Sequence, residues 1–218
     1  LHGTWYGNLA AFLRHFLNRN DRQGAKKNIM SHYDLGNEFY RLWLDSSMTY
    51  SSALFENPEQ DIHAAQMAKY DRIIENLQIQ SSDHLLEIGC GWGGFFSRAV
   101  ERTGCKVTAV LNSPEQARHN QEKIQSQKMT GHVNLLLQDY RDITGQFDKV
   151  VSIEMIEAVG EKYWDTFFAK VGSSLKSKGG ALIQGITIRE DLFYSYRKST
   201  DFIQQYVFPG GMLLTNSV

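Results

Sequence analysis

The chain has 218 residues, of which 42% are hydrophobic and 22% charged, and its formal net charge is −1. These values are typical of a globular protein with a sizeable core, and the near-zero charge excludes a field strong enough to attract nucleic acid. We therefore predict no nucleic-acid partner. Cys90 and Cys105 lie in no zinc-binding spacing and are too few for a disulfide framework. We predict no metal site and expect reduced thiols in the cytoplasm.

Residues 1–80 carry no strand signals. Apolar residues recur at helical spacing in 6–17, 37–45 and 62–77. We predict an N-terminal helical region here that covers a site built by the rest of the chain. A basic stretch from Arg14 to Lys27 follows the first of these helices, and basic segments beside aromatic helices can bind anionic lipid headgroups.

From residue 81 onward, short apolar runs alternate with amphipathic helical stretches. The predicted strands are 84–88, 106–111, 133–138, 147–153 and 180–187, and the predicted helices are 93–102, 114–128 and 163–175. This alternation predicts a mostly parallel sheet flanked by helices, in an α/β Rossmann-like domain spanning residues 81–218. Gly104 is expected to end one helix, and Gly179-Gly180 to separate the last helix from the last strand.

The segment from Leu85 to Gly94 runs from an apolar strand through glycines into a helix. Gly89 and Gly91 allow close backbone approach to a ligand, which the free N–H groups of the helix could bind. With Glu87, the Glu-x-Gly-x-Gly spelling resembles the adenosylmethionine-binding loop of class I methyltransferases. Alternatives are a tight turn without a ligand and a dinucleotide-dependent oxidoreductase. The second is disfavoured because the second strand ends at Asn112 and not at an acid.

Polar residues follow the next two strands. Ser113 and Gln116 form a helix-capping pattern, and a functional interpretation places Asn112 and Gln116 at the ribose hydroxyls. Asp139 could accept a hydrogen bond from the adenine amino group, and Tyr140 could flank the ring. In open α/β sheets, ligands bind beyond these carboxyl ends.

Several segments, most of them outside the glycine loop, carry a resemblance to a known family. They are residues 31–40, 44–51, 65–66, 86–94, 138–142, 157–160 and 208–211. In this order they resemble cyclopropane-fatty-acyl-phospholipid synthases and mycolic acid cyclopropane synthases. The resemblance implies a class I methyltransferase fold, with adenosylmethionine as cofactor and bicarbonate as the proton acceptor. The implied substrate is the cis double bond of an unsaturated phospholipid acyl chain.

The resemblance also implies roles for individual residues. Tyr50 and Ser51 match residues that hold the methionine end of the cofactor, and Glu157 matches a glutamate that helps to hold bicarbonate. Two positions depart from the common pattern: Ser52 replaces a cysteine, and Gln184 replaces a bicarbonate-binding histidine. Glutamine can hydrogen-bond an anion but cannot carry a proton. With a different base, the product would be a methylene or methyl branch instead of a ring.

Members of this family usually extend beyond both ends of the matched region, so we expect the chain to be a fragment. The implied enzyme is cytoplasmic and contacts the inner face of the membrane peripherally. Two alternatives stay open: an N- or O-methyltransferase for small soluble molecules, and a non-catalytic module that binds adenosylmethionine or lipid. The oligomeric state does not follow from the sequence.

Overall fold

The computed structural model describes residues 36–198, 201–208 and 210–217. The predicted helix at 6–17, the basic stretch from Arg14 to Lys27 and the first part of the 31–40 segment lie outside these residues. Among the helices that are described, none is long and apolar enough to cross a bilayer.

Five parallel strands form one sheet in the spatial order β3-β2-β1-β4-β5. The strands are β1 (His84–Ile88), β2 (Lys106–Leu111), β3 (Val133–Leu137), β4 (Phe147–Ile153) and β5 (Leu175–Gln184). The order runs outward in one direction from β1 and in the other from β4. The crevice between these two strands, at their carboxyl ends, is the place where α/β sheets bind ligands.

Helices cover both faces of this sheet. They are α1 (Gly36–Arg41), α2 (Ile62–Leu77), α3 (Gly94–Thr103), α4 (Pro114–Ser126), α5 (Ile156–Val159), α6 (Trp164–Ser173) and α7 (Glu190–Tyr196). One core cluster joins α2, α3 and α4 to residues such as Leu85 and Val107. A second joins α5 and α6 to the neighbouring strand residues Leu86 and Val110. The side-chain alternation of each strand therefore feeds two cores, as the predicted α/β fold requires.

Most predicted elements are confirmed. The predicted limits of β1, β2, β4 and α2 agree with the structure, Ser113 caps α4 by accepting a bond from the Gln116 N–H at 3.3 Å, and Gly104 ends α3 with φ 70°. The predicted division of the chain at residue 80 stays a prediction. The core cluster that contains β1 also includes Tyr70, Ile73 and Leu77 of α2.

The predicted role of Gly179-Gly180 is wrong. Strand β5 begins at Leu175, directly after α6, and the two glycines lie within it. Phe147 pairs with Leu175 while Lys149 pairs with Gly180, so residues 176–179 bulge out of the ladder. A β-bulge accommodates extra residues within a strand. The glycines of this bulge resemble a turn in the sequence, which is why the start of the strand was missed.

Candidate active site

The carboxyl edge of the sheet brings together most of the polar residues that were singled out in the sequence. Gly89 follows β1, Asn112 follows β2, Asp139 lies just beyond β3, Glu154 follows β4, and Gln184 is the last residue of β5. Because all five strands are parallel, these positions share one edge of the sheet.

The glycine loop after β1 has the strand–turn–helix geometry that was predicted. Gly89, Gly91 and Gly93 have φ of 83°, 51° and 77°. A Cβ on Gly93 would lie 2.4 Å from the Phe96 ring, whereas one on Gly91 would meet no atom within 4 Å. The loop therefore needs glycine for its conformation, and at Gly91 it borders open space that a ligand could fill.

Helix α4 holds this loop from outside. The Asn120 amide donates to the Gly91 carbonyl at 2.8 Å, and Lys123 Nζ donates to the Trp92 carbonyl at 2.8 Å. Burial lowers the pKa of Lys123 to about 8. Sequence reasoning missed both residues, because α4 is polar along most of its length and nothing in its spacing separates these two side chains from the rest.

Glu87 lies beneath the loop and is 3% exposed. It accepts a hydrogen bond from the Phe96 backbone N–H in the first turn of α3, and burial raises the pKa of its carboxyl group to about 8. Its Oε2 has no partner among the described residues. Glu87 thus fixes the helix that the loop opens, and its predicted contact with the cofactor stays a prediction.

The residues after β2 and β3 differ in how free they are to bind a ligand. Gln116 is 4% exposed and its Nε2 has no partner among the described residues, which suits a donor to a ribose hydroxyl, and Asn112 lies half-buried at the end of β2. Asp139 already accepts from Arg141 Nε at 2.7 Å and Nη2 at 2.6 Å. The Tyr140 ring packs in the core, edge-on to Phe167 at 5.7 Å. These contacts give no support to a place for Tyr140 beside adenine.

A loop between α1 and α2 folds over the glycine loop. The Asp45 carboxylate, with a side chain 1% exposed, accepts from the Ser47 and Thr49 backbone N–H groups at 3.0 and 3.1 Å. Thr49 Oγ1 lies 2.7 Å from the Tyr70 hydroxyl of α2. A Cβ on Gly94 would come within 2.6 Å of that hydroxyl. The loop is therefore packed directly against the start of α3.

Ser51 and Ser52 of this loop lie at the ends of β4 and β5. We call these two residues the serine turn. Ser52 donates to Glu154 Oε1 from its backbone N–H at 3.0 Å and from its hydroxyl at 2.6 Å. The Gln184 amide donates to the same oxygen at 2.8 Å and lies 3.3 Å from Ser51 Oγ. The predicted residues Ser51, Ser52 and Gln184 therefore lie together, and two of them, Ser52 and Gln184, donate to the same carboxylate oxygen.

Sequence reasoning missed Glu154, which is the centre of this cluster. Its backbone has φ 46°, a left-handed conformation that costs a non-glycine residue about 1 kcal/mol or more. Its N–H donates to the Gln184 carbonyl at 2.8 Å. A strained residue held by a neighbouring strand is a feature that only the three-dimensional structure reveals.

Glu157 lies one turn further along, in α5. Its carboxylate accepts from the Ile186 backbone N–H, its Oε2 has no partner among the described residues, and burial raises its pKa. The backbone carbonyl of Glu157 accepts from the Met212 N–H at 2.8 Å. Glu157 thus joins α5 to two later segments while keeping one carboxylate oxygen available.

Aromatic rings border the serine turn. Tyr50 lies 5.7 Å from Tyr40, 5.3 Å from Trp43 and 6.3 Å from Phe208, measured between ring centroids. Tyr40 in turn packs at 4.8 Å from Trp92 of the glycine loop. Burial, followed by the charge of Glu154, raises the pKa of Tyr50. The cluster is an apolar wall with one carboxylate beside it.

A family model described as mycolic acid cyclopropane synthetase matches residues 20–218. The chain belongs to this family. The curated relatives include the tuberculostearic acid methyltransferase UfaA1 of Mycobacterium tuberculosis, 39% identical over 88% of this chain and 46% of the relative. They also include the cyclopropane-fatty-acyl-phospholipid synthase of Escherichia coli, 38% identical over 84% of this chain and 45% of the relative. The chain spans about half the length of these two relatives.

Solved structures of this family have the same fold. The mycolic acid cyclopropane synthase CmaA1, described as complexed with SAH and CTAB, superposes with a TM-score of 0.80 and 32% identity, over 87% of this chain and 70% of that chain. A coclaurine N-methyltransferase superposes with a TM-score of 0.69 at 20% identity, over 99% of this chain and 61% of that chain. The second likeness concerns the fold alone. The predicted Rossmann-like methyltransferase fold and the predicted family are confirmed.

Proposed function

We propose that the chain is part of an enzyme that transfers a methyl or methylene group from adenosylmethionine to a cis double bond in an unsaturated phospholipid acyl chain. The observation that carries the proposal is the cluster of the serine turn, Glu154 and Gln184 at the carboxyl ends of β4 and β5, beside the aromatic rings around Tyr50. The names of the relatives support the same chemistry, since they include a cyclopropane-fatty-acyl-phospholipid synthase, a tuberculostearic acid methyltransferase and a probable fatty acid methyltransferase.

The residues present fit adenosylmethionine. Three glycines with positive φ bring the backbone to open space at Gly91, and Gln116 offers a buried amide donor without a partner among the described residues. Asn112, Asp139 and Glu87 lie around the same edge of the sheet, and we keep the cofactor roles predicted for them. Tyr50 and Ser51 are the residues we propose for the methionine end. When bound, the cofactor supplies an electrophilic sulfonium methyl group.

The reaction has two further requirements that the chain's own residues would meet: stabilisation of a cation and removal of a proton. With the cofactor bound, the acyl double bond would form a bond to the methyl carbon while the carbon–sulfur bond breaks and leaves its electron pair on sulfur, so that a cation would remain on the acyl chain. The rings of Tyr50, Trp43 and Phe208 present aromatic faces that stabilise such a cation. A base must then take a proton. Loss of a proton from the new methyl group lets its C–H electrons close a cyclopropane ring, and loss elsewhere leaves an alkene branch.

We propose Glu154 as that base. Gln184, at the position that the resemblance assigns to a bicarbonate-binding histidine, donates to Glu154 Oε1, and Ser52 donates to the same oxygen. A carboxylate that accepts from three donors therefore lies within hydrogen-bonding distance of the residue that the resemblance links to a bound anion. Glu157, with one oxygen free of partners among the described residues, remains the candidate for a second anion contact. The proposal therefore replaces a bound bicarbonate with a residue of the chain.

The test uses the full natural chain with methyl-labelled adenosylmethionine and vesicles of unsaturated phospholipid, and reads the acyl products by mass spectrometry. We expect label in the acyl chain at equal rates with and without bicarbonate. Glu154→Gln should lower the rate by about 10²–10⁴-fold, the usual contribution of a general base, while the exposed Glu59→Gln should leave it unchanged. A rate that depends on added bicarbonate would overturn the role of Glu154. Label found in a soluble acceptor instead would favour a small-molecule methyltransferase.

We also propose that this enzyme contacts the membrane peripherally from the cytoplasm. Phe39, Leu42 and Trp43 are 41%, 82% and 50% exposed at the end of α1, and Trp43 packs directly on Tyr50. Exposed aromatic and aliphatic residues that lead to a lipid-binding site are suited to insert among headgroups. Flotation with the same vesicles measures this contact. Binding that is unchanged by the double substitution Leu42→Ser and Trp43→Ser would contradict it.

A further inference from the structure

Lys69 is a buried lysine on α2 whose ammonium group donates to both residues of the serine turn. Lys69 is 6% exposed. Its Nζ donates to Ser51 Oγ at 2.9 Å and to the Ser52 carbonyl at 2.8 Å, and it lies 4.9 Å from the centre of the Tyr70 ring. Lysines are almost never buried without such partners, because burial of the charge is costly.

The two sides of the serine turn are held by opposite charges. On one side Lys69 donates to Ser51 and Ser52, and Gln66 donates to the Ser51 carbonyl at 2.7 Å. On the other side the Ser52 N–H and hydroxyl donate to Glu154. The peptide unit that joins Ser51 to Ser52 accepts from Gln66 at its carbonyl and donates to Glu154 at its N–H, and hydrogen bonds linked in this way polarise one another.

We infer that Lys69 is a positioning residue whose ammonium group fixes the serine turn, so that Ser51 is held for the cofactor and Ser52 for Glu154. The inference rests on the proposed function for its link to catalysis, and on geometry alone for its link to the serine turn. Lys69 donates to Ser51 and Ser52, and its proposed effect acts through these two residues.

Burial and the charges around Lys69 together set the pKa of its ammonium group, and therefore the pH dependence of its effect. Glu154 at the end of β4 and Asp45 in the loop after α1 favour its charged form, but burial outweighs them and lowers the pKa of Lys69 to about 8. On the neighbouring helix α3, Arg98 is already paired with Asp71 of α2. Lys69 should therefore lose its charge as the pH rises through 8, whereas an arginine in its place would stay charged.

The experiment measures the affinity for adenosylmethionine by calorimetry at pH 7 and pH 9, without lipid, for the natural protein, Lys69→Arg, Lys69→Met and the exposed control Lys106→Met. At pH 7, Lys69→Met should bind at least tenfold more weakly, because two charge-assisted hydrogen bonds are lost, and Lys106→Met should bind normally. Between pH 7 and pH 9 the natural protein should lose more affinity than Lys69→Arg. The cofactor's own amino group and Lys123 titrate in both proteins and cancel in this comparison.

Normal binding by Lys69→Met, or the same pH dependence in the natural protein and Lys69→Arg, would overturn the inference. If one variant does not fold, as judged by circular dichroism, the comparison with the other decides. The binding experiment contains no lipid, so its result does not depend on the vesicle assay. A failure to methylate acyl chains in the vesicle assay would count against the proposed function and would leave the binding result unchanged.

Discussion

At the scale of single residues, two glutamates show how surroundings divide similar side chains between structure and chemistry. Glu87 is buried under the glycine loop and bonded to a helix N-terminus. Glu154 is half-buried and faces two side-chain donors that belong to the active site. Helix N-termini stabilise carboxylates, yet at Glu87 burial dominates and raises the pKa to about 8. Glu87 is thus poised to hold a proton in the folded protein at neutral pH.

This proton makes the free energy of unfolding depend on pH. The folded state keeps a proton that the unfolded chain releases above its ordinary pKa of about 4.3, so Glu87 costs stability progressively as the pH rises from there to about 8. Glu87→Gln cannot ionise. We expect the natural protein to lose stability relative to this variant by up to about 1.4 kcal/mol per pH unit within that window. Urea unfolding at pH 5 and pH 8 measures it, and parallel pH profiles of the two proteins would contradict it.

What the sequence could predict of the site follows from how local each signal is. The loop Gly89–Gly93 is a local strand–turn–helix signal, and the structure has that geometry. The place of Glu154 depends on Ser52, which is 102 positions away, and that of Lys69 depends on the path of an irregular loop. Spacing within one element gives no information about such contacts. The resemblance linked position 184 to bicarbonate, and it gave no indication that the Glu154 carboxylate accepts hydrogen bonds from Ser52 and Gln184 in this chain.

At the scale of elements, helices α2 and α3 are joined by a cluster of charges. Asp71 of α2 accepts from Arg98 Nε and Nη2 of α3, both at 2.8 Å, and Arg102 Nη1 lies 2.8 Å from the same carboxylate. The Arg98 and Asp71 side chains are both 21% exposed. The hydrogen bonds from Arg98 lower the pKa of Asp71. This cluster aligns the helix that carries Lys69 with the helix that the glycine loop opens.

Asp71→Asn should therefore destabilise the protein by about 1–2 kcal/mol at pH 7, because a forked arginine–carboxylate pair is lost at a partly buried site. A lowered carboxyl pKa contributes stability only above the unfolded pKa, so the difference should shrink as the pH falls below about 4. The matched control is Asp191→Asn, which removes an exposed Arg189–Asp191 pair and should cost a few tenths of a kcal/mol. Equal losses in chemical denaturation of the two variants would contradict this account.

The limits of the elements were predictable where apolar residues dominate and uncertain where glycines interrupt a strand. β1, β2 and β4 are short apolar runs bounded by polar or glycine residues, and their ends agree with the prediction. β5 was predicted to start at residue 180 because Gly179-Gly180 resembles a turn. It pairs with β4 on both sides of a bulge. The hydrogen bonds to the neighbouring strand therefore override the preference of glycine for turns.

At the scale of the whole molecule, the parallel sheet gathers the proposed site residues at the carboxyl ends of its strands. Loops at the carboxyl edge carry Gly91, the serine turn's partners Glu154 and Gln184, and the residues after β2 and β3. Loops at the opposite edge, such as the one containing Gly145 before β4, carry none of the proposed site residues. Backbone strain at the two edges should therefore affect stability alike and ligand binding differently.

Gly91 and Gly145 allow this to be tested with matched substitutions. Both have positive φ, 51° and 97°, and a Cβ on either would meet no atom within 4 Å. Each change to alanine should cost about 1–2 kcal/mol through the left-handed backbone alone. Adenosylmethionine at 100 times its Kd should add about 2.7 kcal/mol to a competent site, or roughly 5–10 °C in Tm for a domain of this size. Thermal unfolding should show this shift in the natural protein and in Gly145→Ala, but not in Gly91→Ala, where the new methyl group enters the space proposed for the cofactor. A full shift in Gly91→Ala would place the cofactor elsewhere.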